Sequence, residues 1–366
     1  MKLCIAYPNR NNYSETFIYN HLHYLKPALS LSGGWRPYRT QDGENLIRLP
    51  LAEALRVGVK RGLPWLYPAF YTYYLSRYLK ENRPEVVLAE YGPTGTAVLD
   101  ACRKTGVPLV VHFHGFDASD QVSIEKYRRG YQALFAYAKA VVAVSADMAQ
   151  QLIRLGADPE KIHRNPYGVD TGFFQGARPE TADKIVLAVG RFTGKKAPHL
   201  TIRAFDKVLE RHPDARLVMI GNGELLEASR KLVGELELKH AVSFEGVKKA
   251  EEIAAWHRKA RLFVQHSVVN PANGDSEGTP NTVLEASASG LPIVSTRHAG
   301  IKEAVDHEVT GFLVEEGDVE GMANYIHLLL SDPKKAGELG RNARQKMIRE
   351  YEMSDRTAEL ARILQA

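Results

Sequence analysis

Short apolar runs rich in β-branched residues alternate with longer helix-like stretches along the whole chain, and this alternation restricts the fold more than any other feature. In the first half the runs are Leu3–Tyr7, Val86–Ala89, Pro108–His112 and Ala140–Val144. In the second they are Lys184–Val189, Ala215–Ile220, Val242–Phe244, Leu262–Gln265 and Ile293–Thr296. Strands this short, separated by helical lengths, predict parallel sheets with crossover helices. A chain of 366 residues exceeds one ordinary core, so two α/β domains are expected. Gly172, Gly176, Arg178, Pro179 and Thr181 interrupt periodicity between Asp170 and Lys184, which marks a linker. The expected domains are residues 1–175 and 176–351. The C-terminal helices, Gly337–Tyr351 and Ser354–Gln365, have few apolar positions for a whole layer, and about 352–366 is expected to return to the first domain.

The composition, 44% apolar and 25% charged, is that of a soluble globular protein. Cys4 and Cys102 lie in apolar surroundings without metal-like spacing and read as reduced core residues, which fits a cytoplasmic location. Met1–Tyr7 reads as a buried strand rather than a signal peptide, and no apolar run is long enough to span a bilayer. The charge is uneven: residues 1–175 hold 21 Lys/Arg against 15 Asp/Glu, and the remainder 27 against 28. Within the basic half, Arg56, Lys60 and Arg61 lead through Pro64, Trp65 and Tyr67 into an aromatic stretch ending near Tyr78 and Lys80. Residues 56–80 suit peripheral contact with an anionic membrane, a sugar-stacking acceptor groove, or a core helix with tyrosine hydroxyls at its rim. No recognised nucleic-acid motif accompanies the charge, so nucleic acid is not expected as a partner.

Near the end runs Glu277-Gly278-Thr279-Pro280-Asn281-Thr282-Val283-Leu284-Glu285, two carboxylates separated by seven residues across a helix start. Thr279 can cap, Pro280 suits the first helical position, and Gly290 stops the helix. Amides at such a terminus form an anion site. An acidic acceptor on either side of a bound phosphate suits the hydroxyls of a nucleotide sugar. Taken alone, the two glutamates read rather as a solvated loop residue and a helix-dipole or surface carboxylate, and the rest of the chain must decide.

Other polar groups fall where strands end, the place ligands occupy in such sheets. After Lys184–Val189 come Gly190, Arg191 and Lys196: a guanidinium fork and an ammonium suited to a diphosphate that gains charge as it leaves. Gly221-Asn222-Gly223 lacks the third glycine of a dinucleotide fingerprint and reads as a tight turn near the nucleotide. His114 can hydrogen-bond a sugar hydroxyl or place its carbonyl beside the anomeric carbon. Asp117 either orients His114 or caps the next helix, and His112 reads as a strand residue with a structural partner. No Asp-x-Asp and no His/Cys/Asp cluster has metal spacing, so neither a divalent ion nor another cofactor is expected.

In this order the motifs resemble the GT-B retaining glycosyltransferases, family 4, of the exopolysaccharide and cell-surface glycan type. The stretches that carry the likeness are Val189-Gly190-Arg191 to Lys196, Ile220–Gly223, Val242–Gly246, Glu277 to Val294, Gly300–Glu303 and Thr310–Val314. The first half adds His114–Asp117, Val144-Ser145 and Gly168–Asp170. The resemblance implies two Rossmann-like doubly wound domains facing a cleft, with the donor held mainly by the second. Carried over by position, Glu277 meets the donor sugar and Glu285 the ribose. Arg191, Lys196 and the amides near Asn281 and Thr282 hold the diphosphate, while Gly246 and Val247 meet the base. Gly190, Gly278, Thr279 and Pro280 complete the donor loops. His114 lies near donor sugar and acceptor, and Ser14 and Glu15 belong to an acceptor or phosphate loop. The family transfers sugar with retention and without metal, the departing diphosphate assisting deprotonation of the acceptor.

Three departures stand out. The usually glycine-rich N-terminal loop reads Asn11-Asn12-Tyr13-Ser14-Glu15-Thr16-Phe17, Tyr167 replaces a common Asn, and Arg297-His298-Ala299-Gly300 replaces a commoner glycine pair. The reading is therefore transfer from a nucleoside diphosphate sugar, uridine before guanosine, to a glycan or lipid-linked acceptor. Two alternatives are a sugar-nucleotide epimerase or phosphorylase on the same architecture, and a non-catalytic sugar-nucleotide-binding partner subunit.

Overall fold

The computed structural model describes residues 1–8, 15–46 and 66–366. It divides into two compact units, Met1–Asn165 with Thr357–Ala366, and Pro166–Arg356. This division falls ten residues before the one expected between residues 175 and 176. Residues 166–177 are fastened to the second unit: Val169 bridges to Glu352, Arg344 donates to the carbonyls of Thr171 (3.1 Å) and Phe174 (3.0 Å), and Ala177 N–H reaches the Ser289 carbonyl at 2.9 Å.

The first unit is built on β1 (Leu3–Ala6), β2 (Leu29–Ser32), β3 (Arg39–Thr40), β4 (Val86–Glu90), β5 (Leu109–Phe113), β6 (Ala140–Ala143) and β7 (Ile162–Arg164), in the order β3-β2-β1-β4-β5-β6-β7. These strands are parallel except β3, which runs antiparallel to β2, so the sheet is mixed rather than wholly parallel. β4 and β5 are buried along their full length, which explains their unbroken apolar character. Helix Tyr67–Asn82 buries Tyr67, Tyr71, Leu75 and Leu79, a four-residue repeat that faces the core. Tyr71 donates its hydroxyl to the Pro37 carbonyl at 2.9 Å, and Tyr73 points outward. The described part of the basic-aromatic segment is thus in large part a core helix; Arg56, Lys60, Arg61, Pro64 and Trp65 lie outside the described residues.

In the second unit β8 (Ile185–Val189), β9 (Arg216–Ile220), β10 (Val242–Phe244), β11 (Leu262–Gln265), β12 (Ile293–Thr296) and β13 (Gly311–Val314) form a parallel sheet in the order β10-β9-β8-β11-β12-β13. Phe205, Leu217, Met219, Val264, Val294, Phe312 and Ile326 are among the residues of its core. β8 and β9 end in close approach. Gly190 N–H donates to the Ile220 carbonyl (2.9 Å), and Gly221, at φ +139°, leaves no room for a Cβ against the Gly190 carbonyl oxygen.

Helix Asn281–Ser289 begins with Pro280 at the N-cap position, not Thr279, and no side chain caps it. Proline at φ −68° with an extended ψ serves there because its carbonyl accepts the first helical N–H groups, from Val283 (3.1 Å) and Leu284 (3.4 Å). Gly290, at φ +97°, ends the helix as expected. The C-terminal helices span Pro333–Glu350 and Met353–Gln365; no helix among the described residues is long and apolar enough to cross a membrane.

Gly221→Ala tests the strand-end packing. Both the backbone angle and the Gly190 carbonyl oppose a side chain, so a loss of about 2 kcal/mol or more is expected in urea unfolding. Unchanged stability would show that the two loops separate at no cost.

Candidate active site

The winding of the second sheet reverses between β8 and β11. From β8 the chain proceeds through β9 to β10 on one side, and from β11 through β12 to β13 on the other. Connections leaving those two strands part, which opens a crevice at their carboxyl ends. A cleft lies there, with Gly190, Arg191, Lys196, Thr201 and Gln265 on its walls.

A single 3₁₀ turn, Gly194–Lys196, follows β8. Lys196 Nζ lies 3.2 Å from Glu277 Oε1 and donates to Gln265 Oε1 at 3.0 Å. The same Gln265 oxygen accepts from Thr282 Oγ1 at 3.2 Å, and its amide nitrogen donates to Ser267 Oγ at 2.7 Å. One chain of polar contacts thus joins the end of β8, the end of β11, the Glu277 loop and the first turn of helix Asn281–Ser289. The amides of Asn281 and Thr282 precede the first intrahelical bonds of that helix. Glu285 lies one turn beyond Thr282 on the same helical face.

The two glutamates sit in opposite electrostatic environments. Burial opposes ionisation of Glu277, yet the charges of Lys196 and then Lys195 outweigh it and hold the carboxyl down at about 2. Burial lowers Lys196 as well, with Glu277 working against that and Lys195 and Arg191 adding to it. Glu285 has burial alone acting on it and is pushed up to about 7. Arg191 is exposed on the β8 loop. Gly246, at φ +69°, accepts the Gly221 N–H at 2.8 Å, so the segment after β10 packs against the Gly221–Gly223 turn, with Val247 exposed beside it.

The first sheet reverses between β1 and β4, and β4 ends in Glu90, a carboxylate with no solvent exposure. Its Oε1 lies 2.7 Å from His21 Nδ1 and its Oε2 2.8 Å from His114 Nε2. Burial opposes ionisation here too, but His21 and the hydrogen bonds from His114 and His21 hold Glu90 far below the usual carboxylate range. His112 stacks on His21 (5.3 Å between centroids), and burial drives its imidazole well below the usual range. His21, Glu90 and His112 bring ligand-capable atoms within 4.8 Å of one another, a spacing that suits a metal ion as well as shared protons. Phe17 stacks on His114 at 4.2 Å. Asp117 acts on the loop backbone. Its carboxylate accepts the backbone N–H groups of His114 (2.9 Å), Gly115 (3.0 Å) and Gly92 (3.0 Å), which shapes the loop that carries the imidazole. Glu15 accepts the Tyr91 hydroxyl at 3.1 Å, and Ser14 lies outside the described residues.

Residues 171–346 match the family model of glycosyl transferases group 1, and residues 28–168 match a glycosyl transferase 4-like domain. The chain belongs to the group 1 glycosyltransferases. WcaL of Escherichia coli (strain K12), described as a colanic acid biosynthesis glycosyltransferase, is 32% identical over 291 residues, 78% of this chain and 71% of the relative. The amylovoran biosynthesis glycosyltransferase AmsK of Erwinia amylovora is 29% identical over 286 residues, 77% of this chain and 70% of that one. Among solved structures, Anabaena Alr3699/HepE in complex with UDP superposes with a TM-score of 0.78 at 18% identity, covering 100% of both chains. Both units therefore carry the Rossmann-like architecture of GT-B glycosyltransferases.

Of the expected residues, the structure gathers Lys196, Glu277 and Thr282 into one network in this glycosyltransferase, with Arg191 beside it. It places His114 and Asp117 together in the first unit. Sequence reasoning missed Gln265 and Glu90, each a buried polar residue closing an apolar strand, and His21, which has no local signal.

Glu285 gives a pH test. Because its folded pKa lies above the ordinary value of 4.5, the advantage it gives the folded state is full below pH 4.5 and lost as pH rises towards 7. Glu285→Gln should match the native unfolding free energy below pH 4.5 and exceed it above pH 7, by on the order of 3 kcal/mol. A difference that does not vary with pH would refute the assignment.

Proposed function

We propose that this glycosyltransferase moves a sugar from a nucleoside diphosphate, uridine before guanosine, to a hydroxyl of a glycan or lipid-linked saccharide, with retention and without a divalent ion. The observation that carries the proposal is the Lys196–Glu277 pair beside the first turn of helix Asn281–Ser289. Lys196 pairs with Glu277 and donates to Gln265, and the three N–H groups of an ammonium allow it to meet an incoming anion as well. Lys196, Arg191 and the first-turn amides would then receive the diphosphate. Glu277, ionised at all ordinary pH, would accept hydrogen bonds from the sugar, and Glu285 from the ribose. The segment at Gly246 and Val247 is assigned to the base.

In the proposed step the bond between the anomeric carbon and the β-phosphate oxygen breaks, and the acceptor oxygen bonds to the same face of that carbon. The acceptor's proton passes to the departing phosphate oxygen. Positive charge from Arg191 and Lys196 stabilises that leaving group in the role a divalent ion can fill elsewhere. The acceptor is assigned to the first unit, where His114 is held by Glu90 and Phe17. The names of WcaL and AmsK support polysaccharide assembly as the setting, and the UDP complex of HepE supports a uridine donor. We assign the protein to the cytoplasm.

The test is a screen of nucleoside diphosphate sugars for thermal stabilisation and slow hydrolysis in EDTA. One base and sugar should stabilise the protein; stabilisation by none would overturn the donor assignment. Arg191→Ala with Lys196→Ala should slow transfer roughly 10²-fold or more if leaving-group charge develops there. An unchanged rate would place the diphosphate elsewhere.

A further inference from the structure

The loop that presents Glu277 is held along its backbone. Lys195 Nζ donates to Asp275 Oδ1 and to the Ser276 carbonyl, both at 3.1 Å. Gly300 N–H donates to the Gly278 carbonyl at 2.9 Å, and the approach is so close that a Cβ at Gly300 would stand 2.5 Å from that carbonyl oxygen. Between these two anchors stands His298, in the turn after β12, with 2% of its surface exposed. Its Nε2 lies 3.1 Å from the backbone nitrogen of Glu277 and 3.0 Å from Ser276 Oγ. Its Nδ1 lies 2.6 Å from Glu316 Oε1.

These partners determine the tautomer. A backbone N–H can only donate, so the Nε2 facing Glu277 presents a lone pair and the ring proton sits on Nδ1, directed at the Glu316 carboxylate. Glu316 is itself fixed: its second oxygen accepts the Val269 N–H at 2.8 Å, and the next residue, Gly317, donates its N–H to His266 Nε2 at 2.9 Å. A carboxylate, an imidazole and the Glu277 amide thus form a relay from the end of β13 to the loop before helix Asn281–Ser289. A glycine pair at this turn would offer no such ring.

We propose that His298, oriented by Glu316, is a positioning residue for Glu277 and thereby for recognition of the donor's sugar. It acts through the Glu277 backbone and needs no contact with substrate. The second half of this statement rests on the donor assignment given above; the first half does not. Holding the Glu277 amide fixes the origin of its side chain, so the carboxylate faces Lys196 and the sugar hydroxyls from one direction. Loss of the ring should therefore weaken discrimination for the sugar and spare the nucleoside diphosphate, whose cationic partners sit on the β8 loop.

The test uses the full chain with His298→Ala and His298→Gln; a glutamine Oε1 can take the acceptor place of Nε2, and the Lys195 and Gly300 anchors remain in both. Amide hydrogen exchange is read at Glu277 by fragment-resolved mass spectrometry. Affinities are read for UDP, GDP and their glucose and mannose conjugates. In His298→Ala, exchange at Glu277 should rise about 10-fold or more, the loss of one hydrogen bond. The preference for the sugar conjugate over the bare diphosphate should fall by a similar factor of about 10, with UDP or GDP itself bound within about 2-fold of the native protein. His298→Gln should recover most of both. Unchanged exchange in His298→Ala overturns the clamp, and an unchanged sugar preference overturns its part in recognition. If the native chain binds none of the conjugates, the donor assignment fails, and the exchange measurement still decides whether His298 holds Glu277.

Discussion

All strands of a parallel sheet deliver their outgoing loops to the same edge, and where the winding reverses those loops must part. The rest of this structure depends on that constraint. In the second unit the reversal falls between β8 and β11, and Lys196 and Gln265 come from the ends of those two strands. In the first it falls between β1 and β4, and Glu90 is the last residue of β4. Neither unit needs a special device to place polar groups together, because the topology directs them to one crevice.

Once gathered, the groups share a poorly solvated environment, and burial makes each unpaired charge costly. Glu277 meets that cost with an ammonium and stays ionised. Glu285, eight residues on, has no such partner among the described residues and is pushed up to about 7 by burial. One helix entry therefore offers two carboxylates of different character. Glu277 is a constant acceptor, whereas Glu285 gains its charge only as pH approaches 7 or a ligand supplies donors. The first unit uses a different arrangement, a single buried carboxylate held between two imidazoles.

Much of this was legible in the order of residues. Buried central strands need β-branched and apolar side chains, so β1, β4 to β6 and β8 to β12 were readable within about a residue. β2, β3 and β7, towards the two margins of the first sheet, and β13 at one edge of the second were not read as strands. The sequences Arg39-Thr40 and Ile162-His163-Arg164 carry little apolar pattern, because a marginal strand buries less of its surface. The helix after Glu277 was foreseen, but its cap was misplaced by one residue, since Thr279 and Pro280 are both good starting residues. The two units divide after Asn165, ahead of the glycine and proline between 172 and 179 that suggest a linker. What keeps those residues with the second unit is a set of contacts to Glu352, Arg344 and Ser289, far along the chain.

The sequence by itself determined the alternation of strands and helices, the family, and the spacing that puts Glu277 before a helix and Glu285 within it. These are local properties, set by side-chain type and periodicity. Tertiary structure alone decided which groups became partners: Lys196 with Glu277, Gln265 with Thr282, Glu90 with His21 and His114, and His298 with Glu316 and the Glu277 amide. Such pairs form between residues that strand order and register bring together from separate parts of the chain, and burial then makes each partner necessary. No short stretch of sequence encodes that requirement.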